Sequence, residues 1–150
     1  MIHDIDIILN VLFGHNYSQL YSAGNESSCL AVMTFDGPVV SLSASRMACK
    51  KIRSIYVEDR EFTIEGDFMN QEVFTFSRPD KFLLQNERYT QENIIEKVLI
   101  NKVEPLSVEL KTFINCVKKG TEFPITPQQA LANMTVCKQI ARQLIGNRSA

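Results

Sequence analysis

His3, Asp6 and Asn10 stand at positions i, i+3 and i+7 near the start of the chain, a spacing that puts all three on one face of a helix. An imidazole close to a carboxylate is the usual arrangement for general acid/base chemistry, because the carboxylate orients the ring and supports the imidazolium. A plainer reading stands beside it: Asp4 and Asp6 simply complement the positive end of a helix dipole. His15 sits in the loop after that helix and reads as an ordinary surface residue. Ser41, Ser43 and Ser45 lack a G-x-S-x-G context, so a serine hydrolase is not indicated. Cys29, Cys49, Cys116 and Cys137 form no C-x-x-C pair and no cluster with zinc spacing; they read as reduced, mostly buried thiols, and no metal site is expected.

The elements that must position these residues follow from periodicity. Residues 2–13 read as a helix with Ile2, Ile5, Leu9, Leu12 and Phe13 as its apolar stripe, stopped at Gly14. Residues 15–28 read as a loop with a short strand around 19–23. Residues 29–101 read as strand after strand: Cys29–Phe35, a turn at Asp36-Gly37, then a strand from Pro38 in which Val40, Leu42 and Ala44 alternate with serines. Lys51–Val57, Phe62–Phe68, Val73–Phe76 and Asn93–Asn101 follow, with turns at Glu58-Asp59-Arg60, Asn70 and Arg78-Pro79-Asp80; residues 80–91 read as polar and irregular. Short connections imply antiparallel pairing, since parallel strands need long crossovers.

Two helices close the chain. Leu106, Leu110, Phe113, Ile114 and Val117 make a stripe that ends at Gly120, after Lys118-Lys119. Thr126-Pro127-Gln128-Gln129 has the form of a capping box. It opens a helix whose stripe is Ala130, Leu131, Met134, Cys137, Ala141, Leu144 and Ile145. Helices and strands are segregated along the chain, so the expected class is α+β: an open, mostly antiparallel sheet of about six strands with helices packed on one face. Residues 1–150 are expected to form one domain, with no internal linker. Phe74 and Phe76 alternate with Val73 and Thr75, so both faces of that strand carry apolar groups, which points to a homo-oligomer formed through the sheet.

Composition narrows the function classes. Sixteen basic residues against 17 acidic ones leave a net charge of -1, whereas a nucleic-acid binder would show a basic excess. No apolar run reaches the ~18 residues of a membrane span, and residues 1–6 lack the basic and small-residue features of a secretory signal. The expected compartment is therefore the cytoplasm.

Four stretches together resemble one family. Ile2-His3-Asp4-Ile5-Asp6-Ile7-Ile8-Leu9, followed by Gly14, is similar to the H-x-x-D helix that opens the C-terminal domain of Gfo/Idh/MocA oxidoreductases. Val40–Ile52, a small-residue strand running into Ser45-Arg46 and Lys50-Lys51-Ile52, fits the same domain. So do Phe62-Thr63-Ile64-Glu65-Gly66-Asp67 and the tail from Glu104-Pro105-Leu106 through Gly120 to Pro124–Ala130. No single motif is highly specific; the order and spacing of the four are. The combination of M-I-H-D-I-D-I, S-A-S-R and K-K-I-R looks most like the bacterial members that oxidise the 3-hydroxyl of UDP-N-acetylglucosamine.

The resemblance implies a dihydrodipicolinate-reductase-like fold and a place in a two-domain enzyme. An N-terminal Rossmann half would bind NAD(P) and supply a lysine in an E-K-P motif. This half would bind the sugar or nucleotide sugar and build the oligomer. His3 matches the family's catalytic histidine and would act as acid/base on a sugar hydroxyl. Asp6 would orient His3 or bind substrate hydroxyls, and Arg46 would bind substrate. Lys50, Lys51 and Arg53 could meet the diphosphate of a nucleotide sugar. Arg46 and this basic cluster also read simply as solvated strand-end charges that discourage aggregation. The family's Asp, four residues before the His, has no counterpart here. The chain has neither G-x-G-x-x-G nor E-K-P, so it is expected to bind no cofactor and to be inactive alone. Two alternatives remain open: a stand-alone binding or oligomerisation module without catalysis, and an unrelated α+β ligand-binding domain.

Overall fold

A computed structural model describes residues 1–77, 82–85, 88–91 and 94–146. The class is α+β with antiparallel pairing throughout the described strands. The chain divides into two compact units, Met1–Cys49 with Lys111–Ala150, and Lys50–Leu110.

The first unit is built on a sheet ordered β1-β2-β3: β1 Gln19–Gly24, β2 Ser28–Thr34 and β3 Val39–Ser45. Alternation sends Leu20, Ala31, Met33 and Leu42 to one face, and the register sets Leu20 opposite Met33 and Ala31 opposite Leu42. That face packs with Ile5, Ile8 and Leu9 of the opening helix and with Val136 and Ile140 of the last helix, forming one buried cluster. The opposite face carries exposed Tyr21 and Leu30. The Asp36-Gly37 turn closes β2 onto β3 through Phe35 N–H donating to the Pro38 carbonyl at 2.9 Å.

The opening helix departs from expectation. It is α-helical only over α1, Ile2–Asp6, and continues as a π-helix over Ile7–Leu12. Each π-turn closes with a bond of i to i+5 rather than i+4, as in Phe13 N–H to the Ile8 carbonyl at 2.9 Å. The buried stripe also differs from the expected one. Ile5, Ile8 and Leu9 are buried, while Ile2, Leu12 and Phe13, expected on the core face, are exposed. Gly14, at φ +76°, ends the segment as expected.

The last helix, α3 (Pro127–Gly146), opens with the expected capping box. Gln129 N–H donates to Thr126 Oγ1 at 3.2 Å and Thr126 N–H donates to Gln129 Oε1 at 2.8 Å. Its buried face matches expectation only in part: Cys137 and Leu144 pack against the cluster as expected. Leu131, Met134 and Ile145 are exposed, and Asn133, Val136 and Ile140 are buried. The packed face includes polar residues that find partners on other elements. Gln143 Nε2 donates to the Leu20 carbonyl at 2.8 Å, and Ser22 Oγ donates to the Ile140 carbonyl at 2.9 Å.

The second unit holds a sheet ordered β4-β5-β6-β9: β4 Ser54–Glu58, β5 Phe62–Asp67, β6 Glu72–Ser77 and β9 Ile94–Val98. The register gathers Ile55, Val57, Ile64, Val73, Val98 and Ile94 on one face, and Tyr56, Phe74, Phe76 and Ile95 on the other. Gly66 is the one buried residue of this unit among those described. The turn after β5 is fixed by Asp67, which accepts from the Met69 and Asn70 N–H groups at 2.7 and 3.1 Å. Those donors hold its carboxyl below the ordinary range. Within the stretch read as irregular, β7 (Phe82–Gln85) and β8 (Arg88–Gln91) pair with each other; the turn expected at 78–80 lies outside the described residues.

The remaining helix, α2 (Pro105–Lys119), stops at Gly120 (φ +63°) as expected. Its stripe is formed but not covered: Leu106, Leu110, Phe113, Ile114 and Val117 are all exposed. The four thiols are free; Cys49 is exposed and the other three are half-buried rather than buried.

Candidate functional site

The polar residues singled out on the opening helix do not act as one group. Asp6 Oδ1 accepts from Asn10 Nδ2 at 2.8 Å and from Asn133 Nδ2 of α3 at 2.6 Å. Asn10 Nδ2 also lies 3.2 Å from Asn133 Oδ1. Because the Asn10 amide nitrogen is turned toward Asp6, its oxygen faces out and meets His15 Nε2 at 3.0 Å. An amide oxygen only accepts, so His15 carries its proton on Nε2. The result is a directed chain of donors from an exposed imidazole to a half-buried carboxylate.

His3 is exposed; its carbonyl accepts from the Ile7 N–H within the helix, and its ring is not among the groups that bond Asp6 or Asn10. Asp6 is engaged by two amides rather than by the His3 ring, so the structure joins Asp6 and Asn10 but leaves His3 apart from both. Asn133, which completes the cluster, was not singled out in the sequence. It is 4% exposed, in the middle of α3, and no local pattern marks an asparagine whose partner lies 127 residues away.

Arg46 follows β3, one of the two edge strands of its sheet, and its side chain is exposed. Its N–H donates to the Ser27 carbonyl at 2.8 Å, tying it to the β1–β2 turn. Beside it lies an open hollow of about 380 Å3 lined by Asn25, Glu26, Ser27, Ser28 and Met47. Asn25 Oδ1 accepts from the Ser27 and Ser28 N–H groups at 2.8 and 3.0 Å, which fixes one wall. Lys50, Lys51 and Arg53 are exposed in the second unit. Among the described residues no group of His, Cys, Asp and Glu could hold a metal ion, and no helix is long and apolar enough to cross a membrane.

No protein-family model matches the chain, and no curated protein does. Solved structures do. Two crystal forms of UDP-N-acetylglucosamine 3-dehydrogenase GnnA from Acidithiobacillus ferrooxidans superpose with TM-scores of 0.77 and 0.75 at 20% identity. The shared property is the fold. It extends over 96% of this chain but only 45% of the dehydrogenase, so the chain spans less than half the length of the proteins it resembles. It is also the fold implied by the resemblance to the C-terminal domain of Gfo/Idh/MocA oxidoreductases.

Proposed function

We propose that this chain is the C-terminal, substrate-binding and assembly half of a Gfo/Idh/MocA oxidoreductase that acts on a hydroxyl of a sugar or nucleotide sugar, and that it is inactive alone. The observation that carries this reading is the near-complete overlap of the chain with less than half of a UDP-N-acetylglucosamine 3-dehydrogenase. In the intact enzyme His3, whose side chain is exposed, would exchange a proton with the sugar hydroxyl at a ring nitrogen. Arg46, beside the open hollow, would bind the substrate.

The residues present do not fit a dinucleotide. Its pyrophosphate is held where a glycine-rich turn links a strand to a helix in a βαβ unit. The described strands pair only antiparallel and include no such unit. In the proposed enzyme NAD(P) would be held by the other half.

The gene itself provides the test. An open frame upstream of the Met1 codon, encoding G-x-G-x-x-G and E-K-P, is the expected result. An in-frame stop there would overturn the reading in favour of a stand-alone module. Titration calorimetry of the isolated chain with NAD should show no saturable binding, and Arg46→Ala should weaken any retention of UDP-N-acetylglucosamine. Assembly through the four-stranded sheet is part of the proposal. Its faces expose Ile94 and Ile95 at 51% and 58%, and apolar patches on this scale mark contact surfaces. Sedimentation at tens of micromolar should find a dimer or larger species.

A further inference from the structure

We propose that Asn133 is a positioning residue for the turn that bears His3, acting through Asp6. The proposal rests on the reading of His3 as the acid/base group, but its physical content can be tested without that reading.

Alpha1 has five residues and runs straight into a π segment. A helix this short has little stability of its own, because nucleation outweighs the few bonds formed. Its orientation must come from tertiary anchors: an apolar set on one side and a polar one, Asp6, on another. Ile5 is fully buried in the apolar cluster. Asp6, one residue on and about 100° around the helix, is held by Asn133. Ile8 and Leu9 of the π segment share the apolar side with Ile5, and the polar anchor on a different azimuth resists rotation of the first turn about that side. His3 stands one turn before Asp6, so its direction follows from the pair.

The Asn133 amide is committed to this task. Its nitrogen donates to Asp6 Oδ1 at 2.6 Å, a short charge-assisted bond, and its oxygen lies 3.2 Å from Asn10 Nδ2. A buried amide is costly unless its bonds are made, and no buried side-chain polar atom among those described lacks a partner. Asp6 thus serves as the anchoring acceptor, and its Oδ1 is already occupied by two amide donors.

The experiment is amide hydrogen exchange on the full 150-residue chain, read alongside the ring resonances of its two histidines. Asn133→Ala should speed exchange at residues 5–10 by about tenfold relative to β2, the loss expected of a hydrogen bond to a charged group. It should also shift the His3 ring signals. A merely global role would speed both regions by the same factor. Asn10→Ala removes one arm of the cluster and should act on the same amides to a smaller extent; it carries the test if Asn133→Ala does not fold. The double exchange Asp6→Asn with Asn133→Asp swaps amide and carboxylate while keeping the bond, and should restore protection and the His3 signals. The proposal is overturned if the single variants leave residues 5–10 in step with β2, or if the double variant restores nothing. All of these readouts are independent of dehydrogenase activity. An in-frame stop upstream of Met1 would remove the proposed function and leave this result standing.

Discussion

The two sheets of this protein are made of similar residues and meet different fates. In the first unit, Leu20, Ala31, Met33 and Leu42 are covered by the opening helix and α3, and every buried apolar residue among those described belongs to this cluster. In the second, Ile55, Val57, Ile64 and Val73 line up just as regularly, yet the described residues include no buried apolar side chain there. Alternation is therefore enough to make a strand but not a core. A core needs a second layer, and the first sheet receives part of its own from α3, which returns to β1 from more than 100 residues away. The second sheet has two apolar faces, which supports the assembly role proposed for it.

The contrast can be broken most directly at its strongest point. Met33→Ala, at a fully buried position, should cost about 2–5 kcal/mol. Ile95→Ala, at 58% exposure, should stay within about 0.5 kcal/mol in a monomeric sample. Urea unfolding measures both. Equal losses would mean that the second sheet is covered in solution.

A smaller effect is expected at Gly66, where a Cβ would lie 2.7 Å from Ile55 Cγ2. Ile55 is β-branched and stiff, so Gly66→Val should destabilise by about 1–3 kcal/mol through overpacking. A neutral result in thermal unfolding would show that β4 gives way freely. Smaller again is Thr126→Ala, which deletes the capping box of α3 and should cost about 1 kcal/mol, read in the same melts.

The smallest effect is on acidification of the second unit. Asn70 and Met69 N–H donors hold Asp67 below the usual carboxylate range, and Lys97 does the same for Glu72, at 2.6 Å. A depressed folded pKa contributes stability above the unfolded value, and that stability is lost as pH falls through the folded one. Both carboxylates are half-buried at the sheet surface and still reached by solvent, so the loss should be slight. It should appear as shifts of the Met69 and Asn70 amides below pH 4, before the β1–β3 amides move.

Local signals in the sequence proved readable. The capping box at Thr126, the stops at Gly14 and Gly120 and the Asp36-Gly37 turn each depend on residues within a few positions, and each is where its chemistry puts it. The strands β2 to β6 and β9 were legible for the same reason, whereas β7 and β8 fall in the polar stretch read as irregular. What escaped depends on distant partners. Apolar count favoured Leu131 and Met134 as the buried side of α3, whereas Asn133 and Gln143 lie on it because Asp6 and the Leu20 carbonyl satisfy them. His3 and Asp6 were correctly placed on a helix. Their division, one open to solvent and one tied to α3, could not be read without knowing where α3 lies. The π segment carries no Gly or Pro to announce it.

That segment has a consequence for how the chain could be edited. A run closed by i to i+5 bonds accommodates one residue more per closed ring than its α-helical equivalent. Val11, 71% exposed within it, packs least. Removing the Val11 codon should let the run tighten into ordinary α-helix and keep Ile5, Asp6 and Ile8 in place. The same deletion inside β2 would turn every following side chain to the wrong face. The opening helix thus has slack in its length that the sheet beneath it does not.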